Sequence, residues 1–307
     1  MTVLVFPGQG AQKVGMGKDL ADRFPPARDT FAAIDDALGV HLSRIMWEGP
    51  ESELTLTHNT QPAILAHSAA VLAVVRQALG EVVLAAGHSL GEYSAYIAAG
   101  SLSVADAARL VRRRGELMLE AGNARPGAMS AVLGLDTEAV AVCCAEASGA
   151  DGVAVAANLN APDQTVISGD PDAVTAAGER CKAAGARRVL PLKVSGAFHS
   201  PLMAPAVPGL RDALDAVEFG EPAYPVVANA TAAPVGTADE ARALLVDQLT
   251  APVRWVDCMR TAARLHPGAR FIEMGPGSVL TGLLKRIEPG VTGTTLGTAD
   301  EIEHFVA

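Results

Sequence analysis

The stretch "AAGHSLGEYSA" (Ala85–Ala95) decides how this chain reads. Apolar residues lead into it, its centre spells Gly87-His88-Ser89-Leu90-Gly91, and a helical pattern leads out. A serine held on a sharp strand-to-helix turn needs small residues two before and two after it, because bulky side chains would clash there. The helix that follows then offers its first backbone N–H groups, and the positive end of its dipole, to a developing oxyanion. The flanks predict a buried strand over Glu81–Ala86 and a helix over Leu90–Ala99, stopped by Gly100. Ser89 is therefore a nucleophile or an incidental residue of a glycine-rich turn, and the strand and helix on either side favour the nucleophile.

A serine nucleophile needs a base. Among seven histidines, His41, His58, His266 and His304 sit among polar residues and read as surface. His67 falls on a helix face and reads as packed, and His88 adjoins Ser89, so its ring should point elsewhere. His199 stands out in "SGAFHSPLM" (Ser195–Met203), a small-residue loop followed by Pro201. It is the candidate base, against the alternative of a loop histidine near a helix start. An α/β-hydrolase runs serine, acid, histidine in chain order. The acids between Ser89 and His199 fall mainly on helix surfaces, with none at an obvious strand end. A serine–histidine pair oriented by something other than a carboxylate is expected.

Two further features bear on chemistry. A helix is predicted over Ser103–Ala121, with Ser103 as its cap and Asp106 in the first turn. Its apolar face holds Ala107, Leu110, Val111, Leu117 and Met118, and Arg114 falls on that same face. An arginine turned inward needs a carboxylate. That carboxylate is either an internal Asp or Glu, or it arrives with a substrate. The second feature is "FPGQGAQKVGMG" (Phe6–Gly17), after a predicted buried strand at Thr2–Phe6. A dinucleotide fingerprint would need glycine where Lys13 stands, and a P-loop would need it at Gln12. What remains is a tight turn at a strand end, suited to complete an oxyanion hole with Gln9 as donor.

The chain of 307 residues can bury a sizeable core, and a formal charge of −10 from 24 basic and 34 acidic residues argues against a nucleic-acid binder. Cys143, Cys144, Cys181 and Cys258 form neither a zinc spacing nor a disulfide framework, so reduced thiols in a cytoplasmic protein are expected. "MTVLVFPGQG" lacks the features of a signal peptide. Apolar runs such as Val71–Ala86 are broken by Arg76 and Glu81, so no membrane span is expected. A helix is predicted from Gln61 to Leu79 with Pro62 at its start. From Gly127 the pattern changes to strand (Gly127–Leu135), helix (Thr137–Ala147), strand (Val153–Ala157), turn "NLNAPD", strand (Gln164–Ser168), helix (Asp172–Ala184) and strand (Arg188–Leu192). That order is ferredoxin-like. The expected fold is α/β: an α/β-hydrolase-like parallel-sheet body (residues 1–123 and 196–307) with an inserted ferredoxin-like subdomain (124–195).

"FPGQGAQ", "TQPAI", "GHSLGEYSA", "RRRGELM", "GAFHSPLM", "QLTAPVRW" and "EMGPGSVLTGL" occur in this order. Together they resemble the malonyl-CoA:acyl-carrier-protein transacylase family and the acyltransferase domains of polyketide and fatty-acid synthases, over essentially the whole chain. The resemblance implies that Ser89 is acylated and His199 is its base. It implies that the amides of Gln9 and Leu90 form the oxyanion hole, and that the main-chain carbonyl of Gln248 orients the histidine. It makes Arg114 the partner of the malonyl carboxylate. Phe198 before the histidine resembles malonyl-selective members, whereas relatives using branched malonates carry a smaller residue there. Met118 and Asn158 are placed near the substrate. The implied substrate is malonyl-CoA, the implied partner is an acyl carrier protein, and neither a cofactor nor a metal is implied. A monomer is expected, with a basic patch near the cleft to which Arg187 and Arg188 contribute. Three rivals are a thioester hydrolase, a non-catalytic carrier-docking subunit, and a polyketide assembly-line acyltransferase with another acyl group.

Overall fold

The computed structural model describes residues 1–150, 152–194 and 196–307, so the expected subdomain boundary at Ser195 lies outside the described residues. Among the described residues ten strands are present in chain order: β1 (Thr2–Phe6), β2 (Val82–Gly87), β3 (Ala128–Leu133), β4 (Ala154–Ala161), β5 (Gln164–Gly169), β6 (Arg188–Pro191), β7 (Val226–Val227), β8 (Pro234–Val235), β9 (Arg270–Met274) and β10 (Gly293–Leu296). They form two sheets, ordered β10-β9-β1-β2-β7-β8 and β4-β5-β3-β6.

The larger sheet is parallel except at β7–β8. Its central strand "TVLVF" is buried along its whole length, as a strand covered on both faces must be. Alternate side chains separate cleanly: Leu4 and Phe6 enter one apolar cluster, Val3 and Val5 the other. Phe6 pairs with Gly87, so the turns after β1 and β2 leave the same sheet edge side by side. That is the crevice outside the carboxyl ends of adjacent parallel strands, where open α/β sheets bind ligands.

The helix at Thr57–Val75 lies between β1 and β2 in the chain, is buried almost all round and packs on the helix at Val104–Ala124. It begins four residues before the expected Gln61, so Pro62 is internal. The proline cannot donate to the carbonyl of His58, and Arg112 Nη1 takes that carbonyl instead at 3.3 Å. The Val104–Ala124 helix carries the expected cap, with Ser103 Oγ accepting from Asp106 N at 3.0 Å, and it runs one turn past Ala121.

In the smaller sheet every neighbour is antiparallel. The helices Thr137–Ala147 and Pro171–Ala183 cover it around Val132, Val140, Cys143, Ile167, Val174 and Cys181. The strand order is the ferredoxin-like one expected from the sequence. One expectation changes: β4 extends through Ala161, so Asn158 is a strand residue and only Pro162-Asp163 turns. β5 pairs with β4 as far as Ala161, and a tertiary contact holds the other side of β4. Leu159 N donates to Val253 O at 2.9 Å and Val253 N to Ala157 O at 2.8 Å, so the larger body covers the exposed edge of β4.

Candidate active site

The Ser89 turn is built by exclusion. Ser89 has φ of 51°, a left-handed conformation that costs a non-glycine residue free energy. A Cβ on Gly87 would lie 1.9 Å from the carbonyl of Gly91, and one on Gly91 would lie 2.3 Å from the carbonyl of Phe6. Only glycine fits at either place, which is the physical content of the motif. Hydrogen bonds hold the strained turn: Ser89 N donates to Asn229 Oδ1 at 2.7 Å, and His88 N to Phe6 O at 2.9 Å. The His88 ring turns away from Ser89 and meets Asn160 Oδ1 at 2.8 Å.

His199 reaches Ser89 across the crevice, with Nε2 2.8 Å from Ser89 Oγ. Its Nδ1 meets the main-chain carbonyl of Gln248 at 2.9 Å. A carbonyl can only accept, so Nδ1 carries the proton and Nε2 is left to receive one from the serine. The carbonyl does the orienting that a carboxylate does in a triad. Burial, and next the Arg114 cation, push the His199 ring down to about 3, so it is an unprotonated acceptor at neutral pH.

Arg114 is wholly buried and makes no ion pair among the described residues. Its Nη1 donates to Gln61 Oε1 at 2.7 Å, and its Nη2 donates to Gln248 Oε1 at 2.9 Å and to Ser89 Oγ at 3.1 Å. Two amides and a hydroxyl take Nη1 and Nη2 without cancelling its charge, and Nε is buried without a partner among the described residues. The reading of an internal ion pair is therefore not borne out. Met118 supports this arrangement, since Gln61 Nε2 donates to its sulfur at 3.4 Å and thereby turns the amide oxygen to Arg114.

A cavity of about 280 Å³ opens on Ser89, His199 and Arg114. Met118, Met129, Val166, Leu192, Val194 and Phe198 give it apolar walls, and Asn158 and Asn160 add polar groups. Asn158 Oδ1 is buried without a partner among the described residues. Gln9 lies at its rim, because Gly8 lets the β1 turn close on the elbow; a Cβ there would be 2.6 Å from the His88 carbonyl. The main-chain N–H groups of Gln9 and Leu90 donate to no protein acceptor among the described residues.

Eight of the nine candidate residues line this one crevice, and the ninth, Gln248, is buried behind it in contact with Arg114 and His199. Reasoning from the sequence alone missed Glu92, Asn160 and Asn229, and gave Gln61 no role within "TQPAI". A polar residue in an otherwise apolar buried helix was the available signal for Gln61; Asn229 left none. Glu92 is fully buried, and burial pushes its carboxyl up to about 7 against the pull of Asn229 N–H, Gln248 and Arg114. His58 and His266 are half-buried rather than exposed. Arg187 pairs at 3.0 Å with Asp163, an acid it shares with Arg286.

Comparison with known proteins agrees with this geometry. The acyl transferase domain family matches residues 3–292. The malonyl CoA-acyl carrier protein transacylase of Bacillus subtilis (strain 168) is 42% identical over 299 residues, spanning 97% of this chain and 94% of that protein. The protein of the same name from Escherichia coli (strain K12) is 45% identical over 294 residues, 95% of this chain and 94% of its own. Among solved structures, an acyl carrier protein S-malonyltransferase from Vibrio cholerae superposes with a TM-score of 0.94 at 42% identity, covering 99% of both chains. A malonyl-transacylase in complex with a type II PKS acyl-carrier protein gives 0.94 at 42% identity, over 99% of this chain and 98% of that one. On the match along nearly its whole length and the serine–histidine–arginine crevice that the match covers, this chain belongs to the acyl transferase domain family.

Proposed function

We infer that this chain is an [acyl-carrier-protein] S-malonyltransferase, moving malonyl from malonyl-CoA to the thiol of an acyl carrier protein. One observation carries the choice of acyl group: Arg114 is a buried cation beside the reacting oxygen, in contact with no carboxylate among the described residues. A malonyl thioester brings the missing carboxylate, and the guanidinium fork can take it in a bidentate pair.

The residues fit a two-step exchange. Ser89 Oγ attacks the thioester carbonyl while its proton passes to His199 Nε2. The oxyanion sits against the N–H groups of Gln9 and Leu90, the latter at the start of the Gly91–Ala98 helix. The carbon–sulfur bond breaks, the proton on Nε2 goes to the departing thiolate, and malonyl remains as an ester on Ser89. The carrier thiol then gives its proton to Nε2 and attacks the ester; the carbon–Oγ bond breaks and Ser89 recovers the proton. The carbonyl of Gln248 holds the ring through both halves. Phe198 and Met118 wall the space beside the acyl group, and Asn158 offers its unpaired Oδ1 to a donor on the thiol-bearing arm.

The chemistry balances with these side chains and the two thioesters, so the reading calls for no cofactor and no metal. It includes a monomeric protein of the cytoplasm, a compartment that suits four buried free thiols. Among the described residues no helix is long and apolar enough to cross a membrane. The catalytic body is assigned to residues 1–123 and 196–307 and the smaller unit to 124–195.

The test is intact mass after incubation with malonyl-CoA and, separately, with acetyl-CoA. A malonyl adduct that disappears in Ser89→Ala is expected. An acetyl adduct with no malonyl adduct would overturn the substrate assignment, and turnover to free acid with no transfer to carrier would favour a hydrolase.

A further inference from the structure

Glu92 follows the nucleophile by three residues yet touches none of the reacting atoms. Its side chain is fully buried. One oxygen, Oε2, accepts from Gln248 Nε2 at 2.7 Å and from the main-chain N–H of Asn229 at 2.9 Å. The other oxygen has no partner among the described residues. Each of the two donors leads back to the site. Gln248 Oε1 accepts from Arg114 Nη2, and its Nε2 also reaches the Ser89 carbonyl at 3.1 Å. Asn229 Oδ1 receives the Ser89 N–H.

A glutamine amide has a donor end and an acceptor end. If it were reversed here, its NH₂ would face the guanidinium of Arg114, donor against donor, and its oxygen would face a carboxylate. A carboxylate in direct contact with Arg114 would instead occupy the cation and exclude a substrate carboxylate. Set one amide away, it orients the amide and leaves the cation's charge available.

We propose that Glu92 is a positioning residue for acyl-group selection: it fixes the Gln248 side chain with its oxygen on Arg114, and so holds the guanidinium where an incoming carboxylate meets it. The proposal rests on the malonyl reading above. Glu92 also supports the Ser89 turn through Asn229, so its removal slows every acyl donor, but it slows malonyl more than acetyl.

The test compares kcat/KM for malonyl-CoA and acetyl-CoA in the parent, Glu92→Ala, Glu92→Gln, Gln248→Met and the Glu92→Ala/Gln248→Met double variant, with circular dichroism and thermal unfolding on each. Gln248→Met keeps the peptide carbonyl that orients His199. Losing the two buried hydrogen bonds that Glu92 accepts predicts that Glu92→Ala lowers the malonyl:acetyl ratio by about tenfold. Glutamine at 92 still offers an oxygen, so its ratio stays within about twofold of the parent's. Gln248→Met matches Glu92→Ala in ratio, and the double variant falls no further, because one residue acts through the other. A folded Glu92→Ala with the parent's ratio overturns the proposal, as does equal loss with both donors, or a Glu92→Gln that falls as far as Glu92→Ala. If Glu92→Ala does not fold, Gln248→Met decides, and an unchanged ratio there overturns it. A parent protein that takes no malonyl fails the functional reading instead, and that failure is visible before any variant is made.

Discussion

Replacing Arg114 by alanine tests the substrate assignment most directly. Its Nη1 and Nη2 donate to Gln61, Gln248 and Ser89 at 2.7, 2.9 and 3.1 Å, all neutral groups. A malonyl carboxylate would replace one or more of these with a buried charge-assisted pair. Removing one partner of such a pair costs about 3–5 kcal/mol, because the other charge is left buried and unpaired. Malonyl kcat/KM should therefore fall by roughly 10²- to 4 × 10³-fold. Acetyl-CoA brings no carboxylate, so its kcat/KM should change by less than about tenfold, and discrimination collapses by the difference. Alanine also strands Gln61 Oε1 and Gln248 Oε1, each worth about 1–3 kcal/mol if no water reaches it. Loss of the desolvated cation offsets part of this. Release of coenzyme A over a range of each thioester gives the two kcat/KM values, with the Glu92→Ala comparison run alongside. Equal loss with malonyl and acetyl would refute the reasoning, since Arg114 would then serve the Ser89 hydroxyl and not an acyl carboxylate. Arg114→Lys sharpens the result: a point charge without the fork should recover only part of the malonyl rate.

Three other outcomes are expected. Gly87→Ala puts a Cβ 1.9 Å from the Gly91 carbonyl, so it should abolish adduct formation and lower the thermal unfolding midpoint by several degrees; a variant with parent activity would mean that the turn relaxes freely. Phe198→Ser enlarges the pocket beside His199, and the rate ratio of methylmalonyl- to malonyl-CoA should rise about tenfold; an unchanged ratio would remove Phe198 from acyl selection. The third concerns pH. His199 is pushed down to about 3 in the folded protein, below its ordinary value of 6.5, by burial and then by Arg114. Below that ordinary value the unfolded chain takes up a proton that the folded chain refuses, so this residue's contribution to stability is intact above pH 6.5 and is lost as pH falls toward 3. The base itself stays unprotonated across that window. Inactivation of Ser89 by a neutral sulfonyl fluoride should therefore show no acid limb near 6.5, and Arg114→Ala, by removing the second cause, should move the limb up toward it; a limb near 6.5 in the parent would contradict the burial argument.

What could be seen in the sequence was whatever the chain settles over short distances. Gly87 and Gly91 exclude side chains from a turn five residues long, so the pattern alone located the elbow. The 3.6-residue period placed Arg114 inward, and alternation of strands and helices gave the ferredoxin-like unit. The errors came where distant chain intervened. Val253 on one side and β5 on the other hold Asn158 in a strand that its own "NLNAPD" composition argued against, and Arg112 answers the carbonyl that Pro62 abandons, which lets the Thr57–Val75 helix start early. Local pattern could also say that Arg114 wanted an anion, but not whether the protein supplied one. That depended on Gln61 and Gln248, 53 residues before it and 134 after it, arriving as amides where carboxylates would have served stability as well. Stability alone does not explain the choice. A carboxylate at either place would pair with the guanidinium and close it to substrate, whereas an amide accepts one of its N–H groups and leaves the charge uncancelled. The one buried carboxylate nearby, Glu92, contacts the amide of Gln248 and not the cation. The arrangement is what a site needs if it is to bind an anion that it does not itself contain.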